Sequence, residues 1–134
     1  MIGITLGQSL QINVIAYPPD PCNATLGFQN SSGTPVGQSA SVQLEPGQSA
    51  SLAIKGGTLV SSIGQRAEVL PVVVVNGGDS PNGCIASAEV FDNLLGVTSV
   101  LIPGEVGYQS PPALGMLGVT GLETVRLNVV AYPV

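Results

Sequence analysis

The chain has no histidine and no tryptophan, and only three of its residues are lysine or arginine. Without histidine, histidine-based triads and imidazole metal sites are excluded. Three cations cannot neutralise a run of phosphates, so nucleic acid is not an expected partner. Eight Asp and Glu bring the net charge to −5, which argues against an anionic membrane surface. Charged residues fill only 8% of the 134 positions, against about 25% in an ordinary soluble domain. No apolar run approaches the roughly 18–20 residues of a membrane helix, so membrane insertion is not expected. Met1 is not followed by the basic and apolar segments of a signal peptide, the pattern of a mature region or a cytosolic chain. Disorder is excluded from the other side, because 44% of the residues are hydrophobic and disordered chains are poor in Val, Ile and Leu. The length suits one domain. So little charge on a small domain points to a surface hidden in an assembly, or to life outside the cell.

What is present is period two. Leu10, Ile12, Val14 and Ala16 alternate with Gln11, Asn13 and Ile15. Cys22, Ala24, Leu26 and Phe28 alternate with Asn23, Thr25 and Gln29. Val42 and Leu44, Leu52 and Ile54, and Val97, Ser99 and Leu101 follow the same rule. Cys84, Ala86, Ala88 and Val90 face away from Ser87 and Glu89, which puts Glu89 on the polar side. Such alternation marks sheets with one buried face. The run Val72–Val75 reads as a strand buried on both faces. Turn chemistry separates these segments. Asn30-Ser31-Ser32-Gly33 is a turn, Glu45-Pro46-Gly47-Gln48 fits type II with Gly at the positive-φ position, and Asp92-Asn93 signals a hairpin. Residues 76–83 read as a loop. No amphipathic helix of ten residues is found. The expected fold is all-β: a single Ig-like or jelly-roll-like β-sandwich of about 7–9 strands.

Gly-Gln-Ser occurs at 7–9, 37–39 and 47–49. A nucleophile elbow needs a second Gly after the Ser, which all three copies lack, so these are turn glycines opening strands. Nothing gathers two carboxylates with a nucleophile, and no enzymatic activity or cofactor is expected. Arg66 and Glu68, two apart on one strand, fit a surface ion pair worth at most about 1 kcal/mol.

The informative feature is an internal repeat. Met1–Pro19 aligns with Met116–Val134 without a gap, at an offset of 115. Met1, Gly3, Thr5, Asn13, Val14, Ala16, Tyr17 and Pro18 recur as Met116, Gly118, Thr120, Asn128, Val129, Ala131, Tyr132 and Pro133. Composition alone gives roughly one or two identities over such a length. Ile2/Leu117, Ile4/Val119, Ser9/Thr124, Leu10/Val125, Ile12/Leu127 and Ile15/Val130 are conservative. Fixed-offset similarity is the mark of a repeat array. The organisation expected is a sandwich over 1–102, an extended Pro/Gly linker over 103–116, and a C-terminal strand over 117–134 that repeats residues 2–19. Three arrangements are open. The chain is part of a longer tandem protein, or the last strand pairs with a neighbouring molecule, or both copies sit in one sandwich as pseudo-symmetric strands. Burying Val119, Val125, Leu127 and Val129 yields ~1.5–3 kcal/mol each before ordering costs. A linker of ten extended residues spans about 30 Å and reaches an adjacent subunit.

Tyr-Pro-Pro-Asp-Pro-Cys (17–22), Leu-Gly-Phe (26–28), Pro-Gly-Gln-Ser-Ala-Ser-Leu (46–52) and Ala-Glu-Val-Phe-Asp-Asn (88–93) resemble tandem β-sandwich repeats of uncharacterised bacterial secreted and surface proteins. The resemblance spans most of the 115-residue unit. It implies a secreted or cell-surface location and a modular, non-catalytic role. The assembly logic is similar to that of donor-strand fibre subunits such as chaperone–usher pilins, though no pilin motif is present.

Cys22 and Cys84 each open a strand in the inward phase, which suits an inter-sheet disulfide; the other reading is a pair of buried thiols. Pairing would imply an oxidising compartment. It would also bring Asp20 towards Asp79 and Asn82, hard-oxygen donors that match no calcium-loop spacing, so solvated turn residues are expected there rather than a metal site. Asn23-Ala24-Thr25 and Asn30-Ser31-Ser32 fit the glycosylation sequon, making Asn23 and Asn30 candidate glycan sites. Lys55, the single lysine, is a candidate for a Lys–Asn cross-link. The expected function is a structural subunit of an extracellular filament or surface array. Copies of the chain are its partners, and it assembles head to tail by β-strand exchange. The assembly residues are then Leu10, Ile12 and Val14 and their counterparts Val119, Val125, Leu127 and Val129. The alternative is a monomeric adhesin-like binding or spacer module of a tandem protein.

Overall fold

The computed structural model describes residues 1–77 and 82–103. Eight strands form two four-stranded antiparallel sheets. They are β1 (Ile2–Thr5), β2 (Gln8–Ala16), β3 (Cys22–Asn30), β4 (Pro35–Leu44), β5 (Ser49–Lys55), β6 (Arg66–Val75), β7 (Cys84–Asp92) and β8 (Thr98–Pro103). One sheet has the order β1-β6-β3-β4, the other β5-β2-β7-β8. This is the expected β-sandwich. No helix among the described residues is long and apolar enough to cross a membrane, which says nothing of β-barrels.

The strands form because their apolar residues have one shared side to bury. Leu10, Ile12, Val14 and Ala16 of β2 meet Cys22, Ala24, Leu26 and Phe28 of β3 in the core, all nearly inaccessible. Ile4, Leu44, Ile54, Val69, Ala88 and Val90 complete it. The turns act as their residues require. Gly47 has φ 86°, and Gln48 N–H donates to Glu45 O at 2.9 Å. Gly33 has φ 78° and its N–H donates to Asn30 O. At the β7–β8 hairpin, Asp92 Oδ1 accepts from the N–H groups of Leu94 and Leu95.

Two features depart from the sequence pattern. Val74 and Val75 are 53% and 42% exposed, so the valine run is not buried on both faces. It pairs with β1 and β3 in an outer sheet of the sandwich, and no described element lies over that sheet's far side. Conversely, Glu89 is buried at 3% exposure, although its side of β7 faces away from the core.

A short 3-10 turn over Gly56–Thr58 follows β5 and packs at the corner between β1 and β2. Gly56 is buried there, and a Cβ on it would lie 1.8 Å from the carbonyl oxygen of Thr5. Backbone cannot yield as a flexible side chain does. Gly56→Ala is expected to destabilise the fold by about 2–4 kcal/mol, at the upper end of single substitutions. Urea unfolding of the variant measures this.

Candidate functional site

The segment that recurs in the sequence occupies a distinctive place. β1 is an edge strand of one sheet, pairing with β6 from Ile2↔Val69 to Thr5↔Arg66. β2 is an inner strand of the other sheet, paired with β5 on one side and β7 on the other. Residues 2–16 thus form a corner that ties both sheets together. Thr5 N–H donates to Gln8 Oε1 at 3.0 Å and fixes that corner. At the repeat's offset these residues are Thr120 and Glu123, whose carboxylate offers the same acceptor. At the end of β2, Ala16 N–H donates to Gln48 O, and Tyr17 N–H to Gly83 O.

Leu10, Ile12 and Val14, the assembly residues of the first copy, are 0%, 1% and 1% exposed. With both edges of β2 hydrogen-bonded, no strand can add beside it. A second copy can enter this place only by replacing residues 8–16. Val119, Val125, Leu127 and Val129 lie outside the described residues, as do all residues from 104 to 134.

Cys22 and Cys84 form a disulfide, with Cα atoms 4.8 Å apart and 62 positions of sequence between them. It joins β3 of one sheet to β7 of the other. Just before it, Gly83 N–H donates to Pro21 O. Asp20 and Asn82 therefore do share one end of the sandwich. Asn82 Oδ1, however, accepts from Cys84 N–H at 2.9 Å and is engaged in its own turn. Asp79 lies outside the described residues. Among the described residues, no three His, Cys, Asp or Glu side chains group as metal ligands.

Asn23 is exposed on β3, and its backbone carbonyl accepts from Asn76 N–H. Asn30 is half-buried, and its Oδ1 accepts from the N–H groups of Ser32 and Thr34, so it organises its turn. Arg66 and Glu68 form the expected exposed ion pair at 3.0 Å. Lys55 is exposed at the end of β5.

One feature escaped the sequence reading. On the side of β2 and β7 facing away from the core, Ser9, Asn13, Ser87 and Glu89 are all buried, together with Ile85. Asn13 Nδ2 donates to Glu89 Oε1 at 3.1 Å, and Gln11 Nε2 to Asn13 Oδ1 at 2.7 Å and Glu89 Oε1 at 3.4 Å. Thr98 Oγ1 donates to Glu89 Oε2 at 3.1 Å. Ser9 Oγ donates to Asn93 Oδ1 at 2.6 Å. No buried side-chain nitrogen or oxygen among the described residues lacks a partner, as a stable interior polar cluster requires. The sequence did carry a signal. Ile15 and Ile85, register partners, both sit on the nominally polar side, where isoleucines are poorly placed if that side meets water.

No protein-family model, no curated protein and no solved structure matches the chain. The site must be read from its own geometry.

Proposed function

We propose that the chain is a non-catalytic structural subunit of an extracellular filament or surface array. In it, residues 117–131 of one copy take the β1–β2 place of the next sandwich, head to tail. The observation that carries this reading is the coincidence of the repeat with that corner. The eight-identity repeat covers the segment that ties the two sheets together, and no other described element has a second copy. The core residues of β2 are matched by residues of similar size at every inward position: Val125, Leu127, Val129 and Ala131. The Cys22–Cys84 disulfide supports an oxidising location. The lack of histidine and the low charge support a role without catalysis.

The structure also frames the energetics. Each chain carries two candidate segments for one corner, and one segment is left out whether the chain is alone or assembled. Exchange then costs no net strand burial, and its balance rests on differences between the copies and on the entropy of association.

Size-exclusion chromatography with light scattering, followed by negative-stain microscopy, tests this. The intact chain is expected to form concentration-dependent multimers with an axial repeat of one domain. A variant lacking residues 117–134 is expected to stay folded and monomeric. An intact chain that is monomeric at every concentration would contradict the reading. A second reading, a spacer module of a tandem protein, is favoured by one observation: residues 2–16 already close this sandwich on both edges of β2. In that case the deletion changes neither size nor fold.

A further inference from the structure

Strand exchange between near-identical segments needs something to favour the incoming one. Along the β2 segment, the inward changes are small: Leu10 becomes Val125 and Ile12 becomes Leu127, while Val14 and Ala16 are kept. On the outward side Asn13 is also kept, as Asn128. Two outward-side or end positions gain charge. Gln8 becomes Glu123 at the corner, where the side chain serves as acceptor to a backbone N–H. Gln11 becomes Arg126. Gln11 is the register partner of Glu89.

We propose that Arg126 selects the donated strand: seated in the β2 place of a neighbouring sandwich, its guanidinium lies opposite that copy's Glu89, where the resident strand offers only the amide of Gln11. This rests on the strand-donation reading above.

The chemistry favours the exchange. Glu89 is 3% exposed with either strand in place as β2, so desolvating its carboxylate is common to both states. Position 11 is half-buried, so an arginine there keeps part of its hydration. The amide of Gln11 approaches Glu89 Oε1 at 3.4 Å, a long contact, while making its short one to Asn13 Oδ1. A guanidinium has five donors in a planar fork, enough to serve both acceptors at once. Charge-assisted hydrogen bonds are roughly twice as strong as neutral ones. Asn128 retains the second donor to Glu89 that Asn13 provides. The chain's other cations stand elsewhere. Arg66 pairs with Glu68 on the opposite sheet, and Lys55 is exposed at the end of β5, in register with Ser9.

Two sets of variants of the full chain test the proposal. The first asks whether the corner prefers arginine. Gln11→Arg is expected to raise the melting temperature by several degrees, and to lose that gain when combined with Glu89→Gln. A gain of equal size in both backgrounds, or a fall, overturns the proposal. The second asks whether arginine drives assembly, and leaves the sandwich untouched. Arg126→Gln is expected to raise the concentration of half-assembly by about 10-fold or more. Gln11→Arg, by favouring the resident strand, is expected to do the same. An intact chain that assembles and an Arg126→Gln chain that assembles equally well overturn the selective role alone. An intact chain that never assembles overturns strand donation, and this proposal with it.

Discussion

Replacing Ile12 by alanine is expected to lower the unfolding free energy by about 2–5 kcal/mol. Replacing Leu127, its counterpart in the second copy, is expected to change monomer stability by no more than about 0.5 kcal/mol. Ile12 is 1% exposed, in the middle of a strand with neighbours on both edges and the opposite sheet across the core. Its truncation leaves a cavity that the flanking ladders prevent from closing. Leu127 belongs to the segment left out of the corner in a lone molecule, so its truncation is felt only on assembly. There the same loss of burial raises the half-assembly concentration by roughly 30-fold or more, at 1.4 kcal/mol per tenfold. Urea denaturation of dilute samples gives the first pair of values, and light scattering gives the last. The contrast matters more than either magnitude. Equivalent positions respond to different measurements only if the two copies compete for one place.

The second large effect concerns the disulfide. Reduction, or Cys22→Ser with Cys84→Ser, is expected to destabilise the domain by about 2–5 kcal/mol. The bridge spans 62 residues and links the two sheets. In the chain-entropy account a loop of this size is worth about 4 kcal/mol, through its constraint on the unfolded chain. Thermal unfolding with and without reductant measures it. The core alone is shallow for an eight-strand sandwich, with Ala16, Ala24 and Ala88 at central inward positions. Small side chains bury little area, which makes the covalent link the more necessary.

The sandwich was legible because one side of each strand is uniformly apolar. Leu10-x-Ile12-x-Val14 and Ala24-x-Leu26-x-Phe28 have no other way to shelter their side chains. The turns were legible for an equally local reason: Gly33, Gly47 and Gly96 stand where φ is positive. The pairing of Cys22 with Cys84 followed from their shared phase. Two things were not legible, both set by position in the sheets rather than by the strand itself. Val72–Val75 reads as a doubly buried run, yet Val74 and Val75 are exposed, since what lies beyond a sheet's outer side is not encoded in one strand's own pattern. Glu89 reads as a solvated residue, yet it is held by Gln11 and Asn13 of β2 and Thr98 of β8, partners 78, 76 and 9 residues away. Only the register of β2 against β7 brings them together. The same register gives the repeat its meaning. It turns the single exchange of Gln11 for Arg126 from a surface change into one opposite a buried carboxylate.

The central claim is that the second copy can serve as β1–β2. Grafting tests it most directly: Met1–Pro18 of the chain is replaced by the sequence of Met116–Pro133, leaving Pro19 in place. Among the changes, Ile4→Val and Leu10→Val each remove one buried methylene, at about 1 kcal/mol apiece. The account predicts a cooperative thermal transition about 5–15 °C below that of the parent chain, with the Cys22–Cys84 bridge formed. A grafted chain with no cooperative transition, or with both thiols free to react, would contradict it.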